Sequence, residues 1–187
     1  AITGKVHLTN IIVTSDVPGG HFGGDIEDFT ADAVIELRGD GTTLPGFSRT
    51  VTIPVTGQTI TGPRVPGQLV QGFPTDMNAL QGQIIGDPDF DLLRITGGNA
   101  FGWPSPGHTT LTQLPGGNWA VDSFFDIFYR VDFVGAPGSP LAGLSGSTNT
   151  GSRFEQEGPS PVHRASCRTS AAPPTCRPPA PSATMAT

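Results

Sequence analysis

From Ala1 to Glu157 there is no cysteine, and the whole chain has a single lysine, Lys5. The first 157 residues therefore offer no thiol nucleophile and no thiolate ligand for a metal. The Gly-x4-Gly-Lys phosphate loop is absent. So is Gly-x-Ser-x-Gly: in the nearest string, Gly143-Leu144-Ser145-Gly146-Ser147, glycine comes one place too early. His7, His21, His108 and His163 stand apart, without His-x-His or His-Glu-x-x-His spacing. No apolar run approaches the roughly 18 residues of a membrane-spanning helix, and no segment has a sustained helical period. The last 30 residues lack Ile, Leu, Phe, Trp and Tyr altogether.

Positive charge is also scarce. Residues 1–157 carry all 16 acidic residues against seven basic ones, a balance of −9, while the end of the chain adds only Arg164, Arg168 and Arg177. Such a surface repels phosphate backbones, so no nucleic-acid partner is expected.

Glycine and proline are plentiful, at 26 and 19 residues, and up to about Gly158 they fall like punctuation between short apolar segments. Phe29, Ala31, Ala33, Ile35 and Leu37 share one face of a period-two segment. Val51, Ile53 and Val55 repeat the pattern, with Pro54 marking an edge or a bulge. Residues 119–134 form the longest apolar stretch. Phe125, Ile127, Tyr129, Val131 and Phe133 lie on one face, and Phe124, Phe128 and Val134 share the other with Asp126, Arg130 and Asp132, which can pair across or along a strand. Further strands are expected at 5–14, 83–85, 91–96, 108–114 and 152–156. Loops are expected at 16–28, 57–82, 97–107 and 135–149, with one helical turn at 76–81.

The pattern predicts an all-β fold: a single antiparallel β-sandwich or jelly-roll-like domain over 1–157. The segment 158–187, in which 24 of 30 residues are Pro, Ala, Ser, Thr or Arg, cannot build a core. It reads as an extended Pro-rich tail or stalk, as disorder, or as the out-of-frame product of a GC-rich gene. Its Cys167 and Cys176 can close a small disulfide loop or bridge to another chain.

The stretch Asp122–Ser147, DSFFDIFYRVDFVGAPGSPLAGLSGS, resembles a segment of secreted bacterial β-sandwich proteins of no assigned function. The resemblance implies a secreted β-domain and carries over no catalytic or binding residues. Those proteins continue with Thr-rich strand sequence where this chain enters its Pro-rich tail. A start at Ala1 fits removal of a secretory signal, and equally fits trimming. With the Thr/Gly/Asn-rich composition, a secreted or cell-surface location is expected.

Five constellations qualify as sites. Asp87, Asp89 and Asp91, at i, i+2 and i+4, and the cluster Asp25, Glu27 and Asp28 are oxygen sets that can wrap Ca2+, while no cofactor is expected. Turn formation and solubility explain the same acids without metal. Phe101 and Trp103, with Trp119 and Tyr129, can form a stacking platform for a glycan, or can simply pack. Arg38-Gly39-Asp40 at a hairpin tip can meet an adhesion receptor, or only make the turn. Asp126 and Asp132 are the carboxylates a glycosidase-like hydrolase would use. The leading expectation is nevertheless a non-catalytic structural or assembly protein, such as a subunit of an extracellular filament or matrix. It would associate with itself or with other surface proteins by strand addition at a sheet edge. A carbohydrate- or calcium-binding module is the alternative.

Overall fold

A computed structural model describes residues 2–39, 44–156, 166–167 and 176–177 of the chain. These residues are almost entirely β. The strands are β1 (Ile2–Gly19), β2 (Gly24–Gly39), β3 (Ser48–Thr61), β4 (Val70–Ile85), β5 (Phe90–Gly97), β6 (Pro106–Gln113), β7 (Trp119–Gly135) and β8 (Ser145–Gln156), with a separate two-residue pair, β9 (Ser166–Cys167) and β10 (Cys176–Arg177). One 3-10 turn, Asn99–Phe101, is the only helical segment described. No described helix is long and apolar enough to cross a membrane.

All pairings are antiparallel, and the main sheet follows chain order from β1 to β8. This is a meander. A jelly roll would need Greek-key crossings, and here the turns at 20–23, 86–89 and 114–118 are too short to reach past a neighbouring strand.

The pairings β4–β5, β5–β7, β7–β6 and β6–β4 close on themselves. The registers explain this circuit. β6 pairs with residues 70–76 of β4 and β5 with residues 80–85, while β3 holds the opposite edge over 75–82. On β7, β6 takes residues 119–125 and β5 takes 129–135, opposite β8. So β5 and β6 lie end to end in one slot, as a single long strand interrupted by an excursion at 98–105.

Ser105 spans the interruption. Its carbonyl accepts the Met77 N–H (3.0 Å), and its hydroxyl accepts the Phe128 N–H (3.3 Å) and donates to the Trp103 carbonyl (3.1 Å). One fully buried residue thus supplies both flanking strands with the partners that the missing strand residues would have given.

The expected period-two faces are present. Phe29, Ala31, Ala33, Ile35, Leu37, Val51, Ile53, Val55, Phe125, Ile127, Tyr129 and Val131 are all buried. They join residues of β1, β4, β5 and β8 in one core cluster. In a flat sheet, with strands about 4.8 Å apart, β1 and β7 would stand more than about 20 Å from each other. Their inward residues nevertheless belong to one core cluster, in which Leu8, Ile53 and Ile127 are fully buried. A smaller cluster of Phe73, Leu111 and Val121, with Trp119 against it, sits around β4, β6 and β7.

The strands run further than the composition predicts. Residues 16–19 and 24–28, expected as a loop, belong to β1 and β2. Residues 57–61 and 70–82 are strand, including 76–81, where a helical turn was expected, and 145–151 extend β8. At five glycines in or beside the expected loops an aromatic residue stands opposite. Phe29 faces Gly57, Tyr129 faces Gly97, Phe125 faces Gly107, Phe133 faces Gly146 and Phe128 faces Gly151. A large ring over a glycine replaces the side-chain packing that the glycine lacks. The 76–81 stretch is kept in strand by a bulge at Asn78, which lies between the pairs Thr59↔Met77 and Gln58↔Ala79 and donates to Gln58 Oε1 (2.6 Å).

Pro54 acts as its chemistry requires. The β3–β4 ladder ends at Val55↔Gly82, next to the residue with no N–H to give. Beyond that point the two strands separate. A shallow groove of about 580 Å³ opens there on the outer face, lined by Ile12, Pro54, Thr56, Gln81 and Gln83 among others.

Candidate functional site

Each expected constellation can now be placed. Asp87 and Asp89 do come together, but on a guanidinium. Arg49 Nη2 lies 3.0 Å from Asp87 Oδ2, and its Nε lies 3.3 Å from Asp89 Oδ2. The Asp89 N–H also donates to Asp87 Oδ1 (2.9 Å) in an Asx turn. Asp91 is exposed one strand residue further on. A cation is thus already supplied from β3, at the end where β3 and β4 have parted.

The second acidic cluster is split by strand alternation. Glu27 faces inward and is buried, whereas Asp28 faces outward and accepts from Gln58 Nε2 (2.8 Å). Asp25 is held by its backbone, its N–H donating to Thr61 Oγ1 (3.2 Å). Burial pushes the Glu27 carboxyl above its ordinary value; Arg64 opposes this, through an Nη2–Oε1 bond of 3.2 Å, and Asp25 adds to it. Among the described residues, no group of three or more His, Cys, Asp or Glu side chains is placed to hold a metal ion.

The four aromatics do not form one platform. Tyr129 is in the core, edge-on to Phe154, and Trp119 packs against the Phe73 cluster. Phe101 is 39 % exposed on the excursion, and Trp103 beside it is half-buried. The Trp103 carbonyl and the Phe128 N–H meet on the same Ser105 hydroxyl. That places a third ring, the 45 % exposed Phe128, next to the excursion on the outer face.

Asp126 and Asp132 are six residues apart on one strand, about 20 Å at strand rise, well beyond the separation of a glycosidase pair. Both are engaged. Arg153 grips Asp126 with two bonds of 2.7 Å and holds its carboxyl below the ordinary range. Burial pushes Asp132 upward, yet its bonds from Arg130 (2.7 Å) and Arg94 (3.0 Å) prevail and lower it. Neither keeps the proton that a general acid must donate.

Arg38 and Gly39 end β2, while Asp40 lies outside the described residues, as does His163. The β9–β10 register sets Cys167 directly opposite Cys176.

Two features were not legible from sequence spacing. His21 Nε2 sits 2.8 Å from Asp76 Oδ2, which also accepts Asn99 Nδ2 (2.9 Å), so three distant segments meet there. The other is the contrast between β1 and β8, the two outermost strands of the main sheet among the described residues. β1 carries two register shifts, Asn10 in the left-handed region (φ 52°) and Pro18. β8 keeps unbroken register with β7 from Ser145 to Gln156, and its first eight residues, SGSTNTGS, bear no charge.

Compared with known proteins, the chain matches no family model, no curated protein and no solved structure.

Proposed function

We propose that this is a secreted or cell-surface, non-catalytic structural protein that assembles through the β8 edge of its sheet. The observation that carries the reading is the undefended character of β8. It is a twelve-residue strand, paired on one side by β7 and on the other by no described residue. Bulges, prolines and charges are what normally blunt such an edge; β1 has them and residues 145–152 do not. An edge of this kind offers a row of backbone donors and acceptors to an added strand. The acidic, Lys-poor, Thr- and Gly-rich composition supports the location. The finer architecture we infer is a two-layer sandwich folded from one meander, with β1–β3 facing β5, β7 and β8. Light scattering and electron microscopy of the purified chain test the function: assemblies are expected, and a monomer at high concentration overturns it.

A second reading is a carbohydrate-binding module. Phe101 and Phe128, exposed beside the half-buried Trp103, support it as a stacking surface on the outer face. Retention on polysaccharide columns that is lost in Trp103→Ala and Phe128→Ala is its test.

A further inference from the structure

We infer that the strand added at β8 is β8 of a second copy, antiparallel to the first and related to it by a two-fold axis through Asn149. This rests on the assembly reading above and specifies its partner. In an antiparallel pair, residues directly opposite share a face, so a two-fold axis must pass through a residue and not between two. With the axis at Asn149, Thr148 opposes Thr150 of the other copy, and Thr150 its Thr148. Ser147 meets Gly151, Gly146 meets Ser152, Ser145 meets Arg153, and Asn149 meets itself.

Nine consecutive residues then pair with no charge opposite a like charge, and with two Thr–Thr pairs, which favour antiparallel sheets. The faces also match. Thr148, Thr150 and Ser152 stand opposite Val131, Tyr129 and Ile127 on the core side, and Asn149, Gly151 and Arg153 opposite Arg130, Phe128 and Asp126 on the outer side. A copy turned about this axis continues both faces of the sheet. Head-to-tail pairing of β8 with β1 is confined to residues 2–9, because the register shifts at Thr9/Ile12 and Val13/Ser15 interrupt the rest of β1.

The test uses the full chain carrying Cys167→Ser and Cys176→Ser. Asn149→Cys is expected to give a disulfide-linked dimer on mild oxidation, because residues opposite in an antiparallel pair lie within disulfide reach. Ser145→Cys alone is expected to give none, and Ser145→Cys with Arg153→Cys to restore the link. Independently, Thr148→Lys with Thr150→Lys sets lysine against lysine twice and is expected to weaken association at least about tenfold. Thr148→Lys with Thr150→Glu sets opposite charges together and is expected to restore it. Circular dichroism confirms that each variant is folded. Cross-linking at a different β8 position, or association blind to both charge variants, overturns the two-fold pairing and leaves the assembly reading standing. A monomeric wild-type chain overturns both.

Discussion

Phe29 and Gly57 face each other across β2 and β3, and the ring occupies the space where a Gly57 side chain would be: a methyl group there would collide with the ring edge and both of its flanks. Phe29 is buried, so it has nowhere to move. Gly57→Ala is therefore expected to lower stability by about 1–3 kcal/mol, the usual cost of overpacking. Gly151→Ala is the control. A methyl there lies 2.8 Å from the Phe128 ring, but that ring is half in solvent and can swing away. Denaturant melts of the two variants compare them directly, and equal effects would refute the argument.

Ser105 serves three backbone groups from inside the fold. Ser105→Ala leaves the Phe128 N–H without its acceptor, a loss of about 1–3 kcal/mol for a buried donor. Hydrogen exchange is expected to speed up at Phe128 first, and an unchanged rate there would count against the role given to Ser105.

Glu27 gives a pH signature. Burial raises its pKa in the folded state, so the folded chain holds that proton to higher pH than the unfolded chain does. Between the two values the unfolded state binds fewer protons, and stability falls as pH rises. The stability of wild type relative to Glu27→Gln should thus decline from the ordinary Glu value of 4.5 upward, until the folded group has also ionised. A difference that is flat across mildly acidic pH would refute this.

Arg49 occupies the Asp87–Asp89 pair and ties the parted ends of β3 and β4. The melting temperature of the wild type is expected to be the same in millimolar calcium and in EDTA, since a ligand stabilises only what it binds. Arg49→Ala should cost up to about 1 kcal/mol, the scale of a partly exposed pair, and less at high salt. A calcium-dependent rise in the wild type would show that the carboxylates can leave Arg49.

The register of β9 and β10 makes its own prediction. Cys167 and Cys176 are expected to oxidise to an intramolecular disulfide, read as a loss of two hydrogens in the intact mass. Chains linked only to one another would refute the pairing.

The inward rows of β2, β3 and β7 were legible because alternation is a local property: Phe29 to Leu37 and Phe125 to Val131 announce their buried face within ten residues. Strand ends were not, because a glycine such as Gly57 or Gly151 reads as a break until the ring opposite it is known, and that ring lies in another strand. The acidic sites failed to read for a related reason. Asp87 and Asp89 have calcium spacing, but their partner is 38 residues away at Arg49, and nothing near Arg49 in the sequence advertises it. Asp126 and Asp132 were expected to pair, and they do, with Arg153, Arg94 and Arg130. The meeting of His21, Asp76 and Asn99 depends wholly on register and has no sequence signal.

β4 and β7 run unbroken past the excursion at 98–105, and Ser105 already closes the backbone on both sides of it. The loop can therefore grow without moving any strand. Extra residues placed at Gly102, which is exposed and has open space around its α-carbon, would lengthen only the rim beside Trp103. The fold thus carries a graft point on its outer face, where a peptide or a small domain can be inserted while the ladder beneath keeps its register.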